Sequence, residues 1–400
     1  MAVEEDKAML TERMRLSLIC FLIYPIIAGF VTQIGLLAGP VATAYNLSIV
    51  EATAKFGMLT GGFFAGTFAA YFLFDHIGMR SAVIVYSLAI ICSSIGLLFV
   101  ESNISLTILL GILGLMLGIS TCIAGVMIGS IWEGKRRESL FIGLDASYHV
   151  GGLLFPFATT YILLRDLPWE YCLVIVASLA VFIALLSLRS SFNFETVSEE
   201  VSSEEEKTEW SAGVVITAVV LFLAISAKYF VILWLPLYSQ GSLSLAVDES
   251  AKLMSVMFSM ALVGTIGGMY LVSKIKLLYF ICSALFTGFL SCLFIAQVEA
   301  YQALLYVSAL FGLAISVLYN VFVVHGLSYV SYPTHKHVSL IIVASGLAAA
   351  ITPVCSSFVV EWFGTPLAAI YAAAVLYIVA ILLLVLNDRF VTESAHNKLA

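Results

Sequence analysis

Charge is scarce in this chain. Only 11% of its 400 residues are Asp, Glu, Lys or Arg, 62% are hydrophobic, and the mean hydropathy is +1.08. A soluble domain carries about 25% charged residues, and burial in a core does not absorb that deficit over such a length. The chain is therefore expected to be solvated by a lipid bilayer. The ten-residue alternating segments of an outer-membrane barrel are also missing, so the spans are read as helices, which pair every backbone N–H and C=O within the segment. There is no G-x-x-x-x-G-K-[ST] loop to hold a nucleoside triphosphate. No cleavable leader is expected: the first apolar run follows a polar start (Glu4, Glu5, Asp6, Lys7, Glu12, Arg13, Arg15) and is too long for a signal-peptide core. The seven cysteines all lie inside apolar runs and read as small packing residues, with no disulfide, metal centre or cofactor expected.

Twelve long apolar stretches are present. With loose edges they are 15–42, 53–74, 80–100, 104–131, 141–164, 170–190, 211–238, 251–273, 276–297, 301–325, 338–360 and 365–386, each near or above the roughly 20 residues a helix needs to cross a bilayer. An even number places both termini on one side, and Lys and Arg decide which. Fourteen of them fall on the side of the termini. Only Lys55, Arg165 and Lys252 fall opposite, and Lys228, inside a span, completes the total of 18. Both termini are expected in the cytoplasm. The acidic segment 191–210, rich in Glu and Ser, reads as a solvated linker between two halves, 1–190 and 211–400.

The halves repeat. I-V-E-A-T-A-K (Ile49 to Lys55) recurs as A-V-D-E-S-A-K (Ala246 to Lys252), an offset of 197 (252 − 55), and Pro156 and Pro353 are separated by the same 197 (353 − 156). Two matches at one offset near half the chain length indicate a duplicated six-span unit. The expected fold is an all-α membrane protein of twelve transmembrane helices in two pseudo-symmetric six-helix bundles.

After the second span comes D-H-I-G-M-R, Asp75 to Arg80. It resembles the D-R-x-G-R loop signature of the major facilitator superfamily, with His76 in place of the usual arginine. W-E-G-K-R-R (Trp132 to Arg137), L-D-A-S-Y-H-V-G-G-L-L-F-P (Leu144 to Pro156) and W-L-P-L-Y (Trp234 to Tyr238) look like the TsgA-type permeases, in the branch that includes fucose–proton symporters. The resemblance implies a monomeric permease of the bacterial inner membrane. It would move a small-molecule substrate by alternating access, with the site near the bilayer midplane between the halves. Protons would be the coupling ion, worth about 2.3 kcal/mol per charge per 100 mV from the electrical term. No nucleic-acid partner is implied. The chain departs from the fucose symporters, which resemble each other in carrying acids within the first and fourth spans. Here the first span offers Gln33, and the fourth has no acid before Glu133 at its cytoplasmic end.

Lys228 is the sharpest individual feature. It lies about 16 residues, or about 24 Å, into the seventh span, where a lysine costs about 2.5–3.5 kcal/mol even on the lenient insertion scale. No Asp or Glu lies deep in any other span. Lys228 is expected to face a central cavity and receive an anionic group, making a small organic anion or zwitterion the expected substrate and a neutral sugar the rival. Snorkelling past Tyr229 and Trp234 to the outer interface is the other reading for this side chain. Asp145 and His149 sit one turn apart on the fifth span. Asp145, near the cytoplasm, is expected to join Asp75, Arg80, Glu133 and Arg136 in a gate of charges. His149 is deeper and titrates near neutral pH, which suits a proton relay shared with Lys228 or a hydrogen-bonded packing role. Gln33 and Asn320, in the first and tenth spans, are candidates to bind substrate or to bridge helices. Tyr24 and Tyr319 are weaker substrate-binding candidates. Among the glycines, those of the fourth span (Gly111, Gly114, Gly118, Gly125, Gly129) are expected to permit close helix approach, while Gly151, Gly152 and Pro156 offer the fifth helix a hinge or a packing face. His335 to His337 read as a solvated basic patch. A membrane enzyme would need acids, histidines or a nucleophile clustered at one depth, which the sequence does not show. A non-transporting sensor would need a closed cavity or a soluble appendage.

Overall fold

The computed structural model describes residues 2–73, 76–132, 134–192, 211–272, 274–316, 318–330 and 335–397. The apolar runs are helical throughout, as lipid requires. In chain order the helices are α1 (Ala2–Thr32), α2 (Ile34–Tyr45), α3 (Ile49–Lys55), α4 (Gly57–Leu73), α5 (Met79–Leu97), α6 (Asn103–Ile131), α7 (Gly134–Leu163) and α8 (Glu170–Leu188). The second half holds α9 (Ala212–Gly241), α10 (Val247–Val272), α11 (Leu277–Gln297), α12 (Tyr301–Ile315), α13 (Leu318–Leu327), α14 (His335–Phe363) and α15 (Leu367–Asn397). Three adjacent pairs (α1 and α2, α3 and α4, α12 and α13) each share one expected span, so the fifteen helices make twelve runs. Of these, nine are long and apolar enough to cross a membrane by length and composition alone among the described residues.

Contacts divide the chain into two units. The first is Met1–Asn46 with Met58–Glu205; the second is Leu47–Gly57 with Glu206–Ala400. Thus α3, which precedes the second span in sequence, belongs by its contacts to the second unit, where it packs on α14. It is a short helix held by a capping box: Ser48 Oγ accepts from the Glu51 N–H at 3.1 Å, and the Glu51 carboxylate accepts from the Ser48 N–H at 2.8 Å.

In the first unit α4 and α6 run in parallel with almost nothing between them. A Cβ added to Gly114 would sit 1.9 Å from Leu59 O, one on Gly118 2.0 Å from Phe63 O, one on Gly62 2.4 Å from Gly111 O, and one on Gly66 2.0 Å from Leu115 O. Two interlocked Gly-x-x-x-Gly faces, 62/66 and 114/118, let the backbones touch where lipid offers no hydrophobic drive for association. Gly111, Gly125 and Gly129 carry no such constraint: a Cβ would meet only the Met58 side-chain tip at 3.8 Å, or nothing.

The second unit reproduces this contact between α10 and α12. A Cβ on Gly312 would lie 2.0 Å from Met257 O, and one on Gly264 would meet Ser316 and Leu313. Gly114 and Gly312 are 198 positions apart (312 − 114), as are Leu59 and Met257 (257 − 59) and Gly66 and Gly264 (264 − 66). The helix-start contact shifts by the same amount, since Glu249 accepts from the Ala246 N–H as Glu51 does from Ser48. The structural repeat in this stretch is therefore one residue longer than the 197 read from the motif. What repeats is the backbone position of the acid at the helix start, and the lysine slips by one.

One equivalence is broken. Gly118 corresponds to Ser316 (316 − 118 = 198), and there the tenth span divides into α12 and α13 while α6 runs on without interruption. Position 118 admits no Cβ. Its counterpart carries a serine that keeps helical backbone angles, and Thr265 Oγ1 on α10 donates to the Ser316 carbonyl at 3.0 Å, satisfying an acceptor at the end of α12. By contrast α7 continues unbroken through Gly151, Gly152 and Pro156. Gly151 serves packing: a Cβ there would be 2.7 Å from the Pro25 Cα. His337, expected in a solvated patch, instead lies in the first turn of α14 and is fully buried.

Candidate functional site

In the first unit the candidates lie along the seam of α1 and α7. Close contacts pair Phe21 with Gly143, Pro25 with Gly151 and Gly29 with Phe155, a parallel register that rises in step along both helices. It sets Tyr24, which is half-buried, level with the segment around His149. His149 itself is buried, with its ring edge-on to Tyr148 at 5.8 Å between centroids. Asp145 lies one turn nearer the start of α7 on the same face and is half-buried.

Gln33 ends the same seam. It is fully buried at the junction of α1 and α2, its Nε2 donates to Gly29 O at 2.5 Å, and its Oε1 accepts from the Thr159 hydroxyl on α7. Both ends of the amide are thereby engaged within the unit. This placement matches the helix-bridging role open to a buried amide.

Of the expected gate residues in the first unit, Asp75 and Glu133 lie outside the described residues. Arg80 donates to the Leu188 carbonyl at 3.0 Å, capping the last turn of α8. The Arg136 guanidinium stacks 3.9 Å from the centre of the Trp132 ring, and Arg13 approaches the same ring at 5.9 Å. Trp132 is buried and donates through Nε1 to Ser17 Oγ at 2.7 Å. The basic residues of the expected gate are thus tied to α8 and to an indole, a partner the charge pattern did not suggest.

In the second unit the centre is α9, which packs against α10, α13, α14 and α15. Lys228 is half-buried, its ammonium 5.9 Å from the Tyr229 ring. At 100° per residue it shares a face with Thr217, Leu221, Ala224 and Ile232, all buried, and points away from Val215 and Val219, both more than two-fifths exposed. Thr217 on that face meets Gly326 of α13, where an added Cβ would be 3.3 Å away. From this contact, eleven residues along α9 reach Lys228, and ten residues back along the tenth span reach Ser316. The rises, about 16 and about 15 Å, put the lysine level with the break. Tyr319, half-buried, stands in the first turn of α13 just past that break. Asn320 follows it, with a side chain outside the described residues.

One group of polar side chains had no local signature. At the C-terminal end of α13, Tyr329 Oη is 3.1 Å from His325 Nε2 and donates to Asp388 Oδ1 of α15 at 3.4 Å. His325 is buried, and its ring meets the Tyr329 ring edge-on at 5.1 Å. The Tyr329 ring covers Gly213, whose carbonyl accepts from Asn387 Nδ2 at 3.2 Å. Burial and the Asp388 carboxylate push the Tyr329 phenol up to about 12, so it keeps its proton at any physiological pH. His-x-x-x-Tyr is visible as an i, i+4 pair, but its meeting with a residue 59 positions later is a tertiary event.

The family profile of the Major Facilitator Superfamily matches residues 17–337. Protein TsgA of Escherichia coli O6:K15:H31 is 23% identical over 393 residues, covering 97% of this chain and 98% of its own. A TsgA homolog of Buchnera aphidicola subsp. Acyrthosiphon pisum is 23% identical over 352 residues, covering 87% and 90%. Among solved structures, a D-xylose-proton symporter superimposes with a TM-score of 0.72 at 15% identity, over 93% of this chain and 96% of that one, which shows a shared fold. The twelve helical runs and the match across four-fifths of the sequence lead to one assignment: this chain belongs to the Major Facilitator Superfamily and is a multi-pass membrane transporter.

Proposed function

We propose that the chain is a proton-coupled secondary transporter of the bacterial inner membrane, with both termini cytoplasmic, that moves a small organic anion or zwitterion by alternating access. The observation that carries the substrate class is the level of Lys228. It stands on the inward face of α9, at the depth where the tenth span breaks and α13 begins. A helix start presents backbone N–H groups and the positive end of its dipole. An ammonium at that depth adds a full positive charge, and together they favour a carboxylate or similar group near mid-membrane. Tyr24, Tyr319 and Asn320 are the proposed polar contacts for the rest of the solute. Gln33 contributes by holding α1 against α7. His149, buried beside the α1–α7 seam, is the proposed proton carrier, with Lys228 as the second titratable group. Asp75, Arg80, Glu133, Arg136 and Asp145 form the proposed cytoplasmic gate.

A neutral sugar remains the second reading, favoured by the fold shared with a D-xylose-proton symporter. Purified protein screened by thermal shift against monocarboxylates, amino acids, pentoses and hexoses, followed by uptake of the stabilising class into proteoliposomes, separates the two. Stabilisation by carboxylate-bearing solutes, with uptake lost in Lys228→Gln at normal expression, is the expected result. Stabilisation by sugars alone, or full uptake by Lys228→Gln, overturns the anion reading.

A further inference from the structure

We propose that His325, Tyr329 and Asp388 form a second proton site, at the cytoplasmic end of the second unit, in which protonation of His325 locks the end of α13 to α15. The proposal rests on the proton-coupled reading and adds to it a site on the α13 segment that also carries Tyr319 and Asn320.

The Tyr329 hydroxyl lies within reach of two acceptors, His325 Nε2 at 3.1 Å and Asp388 Oδ1 at 3.4 Å, and has one proton to give. When a proton from cytoplasmic water binds His325, both ring nitrogens carry hydrogen. Nε2–H then donates to the Tyr329 oxygen, and the phenolic proton is directed to Asp388. The chain His325–Tyr329–Asp388 is complete and joins α13 to α15. When the imidazolium returns its proton to water, the neutral ring takes the tautomer protonated at Nδ1, and Nε2 becomes an acceptor. It draws the phenolic proton away from Asp388, and the longer of the two bonds is lost. One proton is bound or released at each turn; Tyr329 and Asp388 keep their own protonation states.

The surroundings suit such a device. α13 is a ten-residue helix bounded by the break at Ser316 and by the turn at Ser328, so it is short enough to respond as a piece. Among the described residues, the groups that face the cluster are few. α11 contributes Cys282, which lies within electrostatic reach of Asp388 and of Tyr329. α14 contributes His337, buried one turn before Ile341, the residue that meets Gly326. α9 brings no ionisable group before Lys228, eleven residues beyond Thr217, and α15 brings Asp388 itself. Asn387, next to Asp388, is bonded to Gly213 of α9 beneath the Tyr329 ring, so α15 has a fixed anchor against which α13 is held or released.

The test uses full-length protein in proteoliposomes and reads hydrogen–deuterium exchange of the 318–330 segment between pH 5 and 8, corrected for the intrinsic pH dependence of exchange. The wild type is expected to show one step, protection rising as pH falls, of about fivefold, the equilibrium factor that one net hydrogen bond carries. His325→Gln and Tyr329→Phe are expected to remove the step, and His149→Asn to leave it in place. Tyr329→Phe keeps the ring over Gly213 and deletes only the hydroxyl, so it decides the matter should the His325 variant fail to fold. Absence of a step in the wild type, or its survival in Tyr329→Phe, overturns the proposal. If solute uptake proves independent of an imposed proton gradient, the coupling reading falls by itself, while the Tyr329-dependent step still decides whether this site binds a proton.

Discussion

Replacing Gly114 by alanine tests the claim that α4 and α6 are held in backbone contact. The new Cβ would lie 1.9 Å from Leu59 O, 2.7 Å from its carbonyl carbon and 3.0 Å from its Cα, where ordinary contact begins at 3.4 Å. All three atoms are backbone, so no rotamer change relieves the clash. The helices must part by roughly 1.5 Å, and every contact along the 62/66–114/118 seam loosens with them. Overpacking of this kind costs about 1–3 kcal/mol. The gain from alanine over glycine in a helix returns about 0.5–1 kcal/mol, so the net loss is on the order of 1–2 kcal/mol. Gly125→Ala and Gly129→Ala, on the same helix with nothing within 4 Å of the added methyl, take only the gain. In SDS titrations followed by tryptophan fluorescence, Gly114→Ala is expected to unfold at lower detergent fraction than wild type, and the two controls at equal or higher fraction. Gly312→Ala, 2.0 Å from Met257 O, should match Gly114→Ala. Coincident unfolding of Gly114→Ala and Gly125→Ala would refute the close-contact argument.

Two further outcomes are expected. His149→Asn should leave downhill movement of the solute intact but abolish its accumulation against a gradient under an imposed pH difference; unchanged accumulation in proteoliposomes would assign His149 to packing alone. Ser316→Gly restores the residue found at the equivalent position of α6 and should let α12 run into α13, seen as slower amide exchange across residues 315–319. Exchange at the wild-type rate would mean that the serine is not what divides the span.

The helix content and the internal repeat were legible because they are written in periodicities of about 20 and 197 residues, which survive whatever packs on them; the family was legible only as a resemblance carried by short motifs such as Asp75 to Arg80. Close approach through the fourth-span glycines was legible too, but not which glycines: Gly114 and Gly118 face α4, and Gly125 and Gly129 do not, a matter of helix rotation that composition does not carry. Gln33 was visible as a buried amide open to substrate or to a helix bridge, but its partner was not visible, since Thr159 is 126 residues away. Arg136 shows a contact that counting charges does not suggest: a guanidinium also stacks on an indole, and Trp132 stands four residues before it. The His325 cluster was hidden because its members come from α13, the turn that follows it and α15, which meet only on folding.

The repeat also separates scaffold from chemistry. The residues that keep the same role in both halves of the sequence are those of close packing and helix starts: Gly114 with Gly312, Gly66 with Gly264, Glu51 with Glu249. The polar residues proposed for transport have no such twins. At an offset of 197 or 198, Lys228 falls opposite Val31 or Phe30, His325 opposite Ile128 or Met127, and His149 opposite Gly346 or Leu347. The break at Ser316 is unmatched as well, since its counterpart is a glycine in an unbroken helix. A duplicated bundle needs identical contacts to pack, because a Cβ in a backbone seam is costly in either half. A transporter that couples two chemistries gains from placing a fixed cation in one half and an imidazole in the other, where each titrates in its own surroundings. Chemistry of that kind must differ between halves whose frames are alike, and it is at the departures from the repeat that the residues of transport are to be sought.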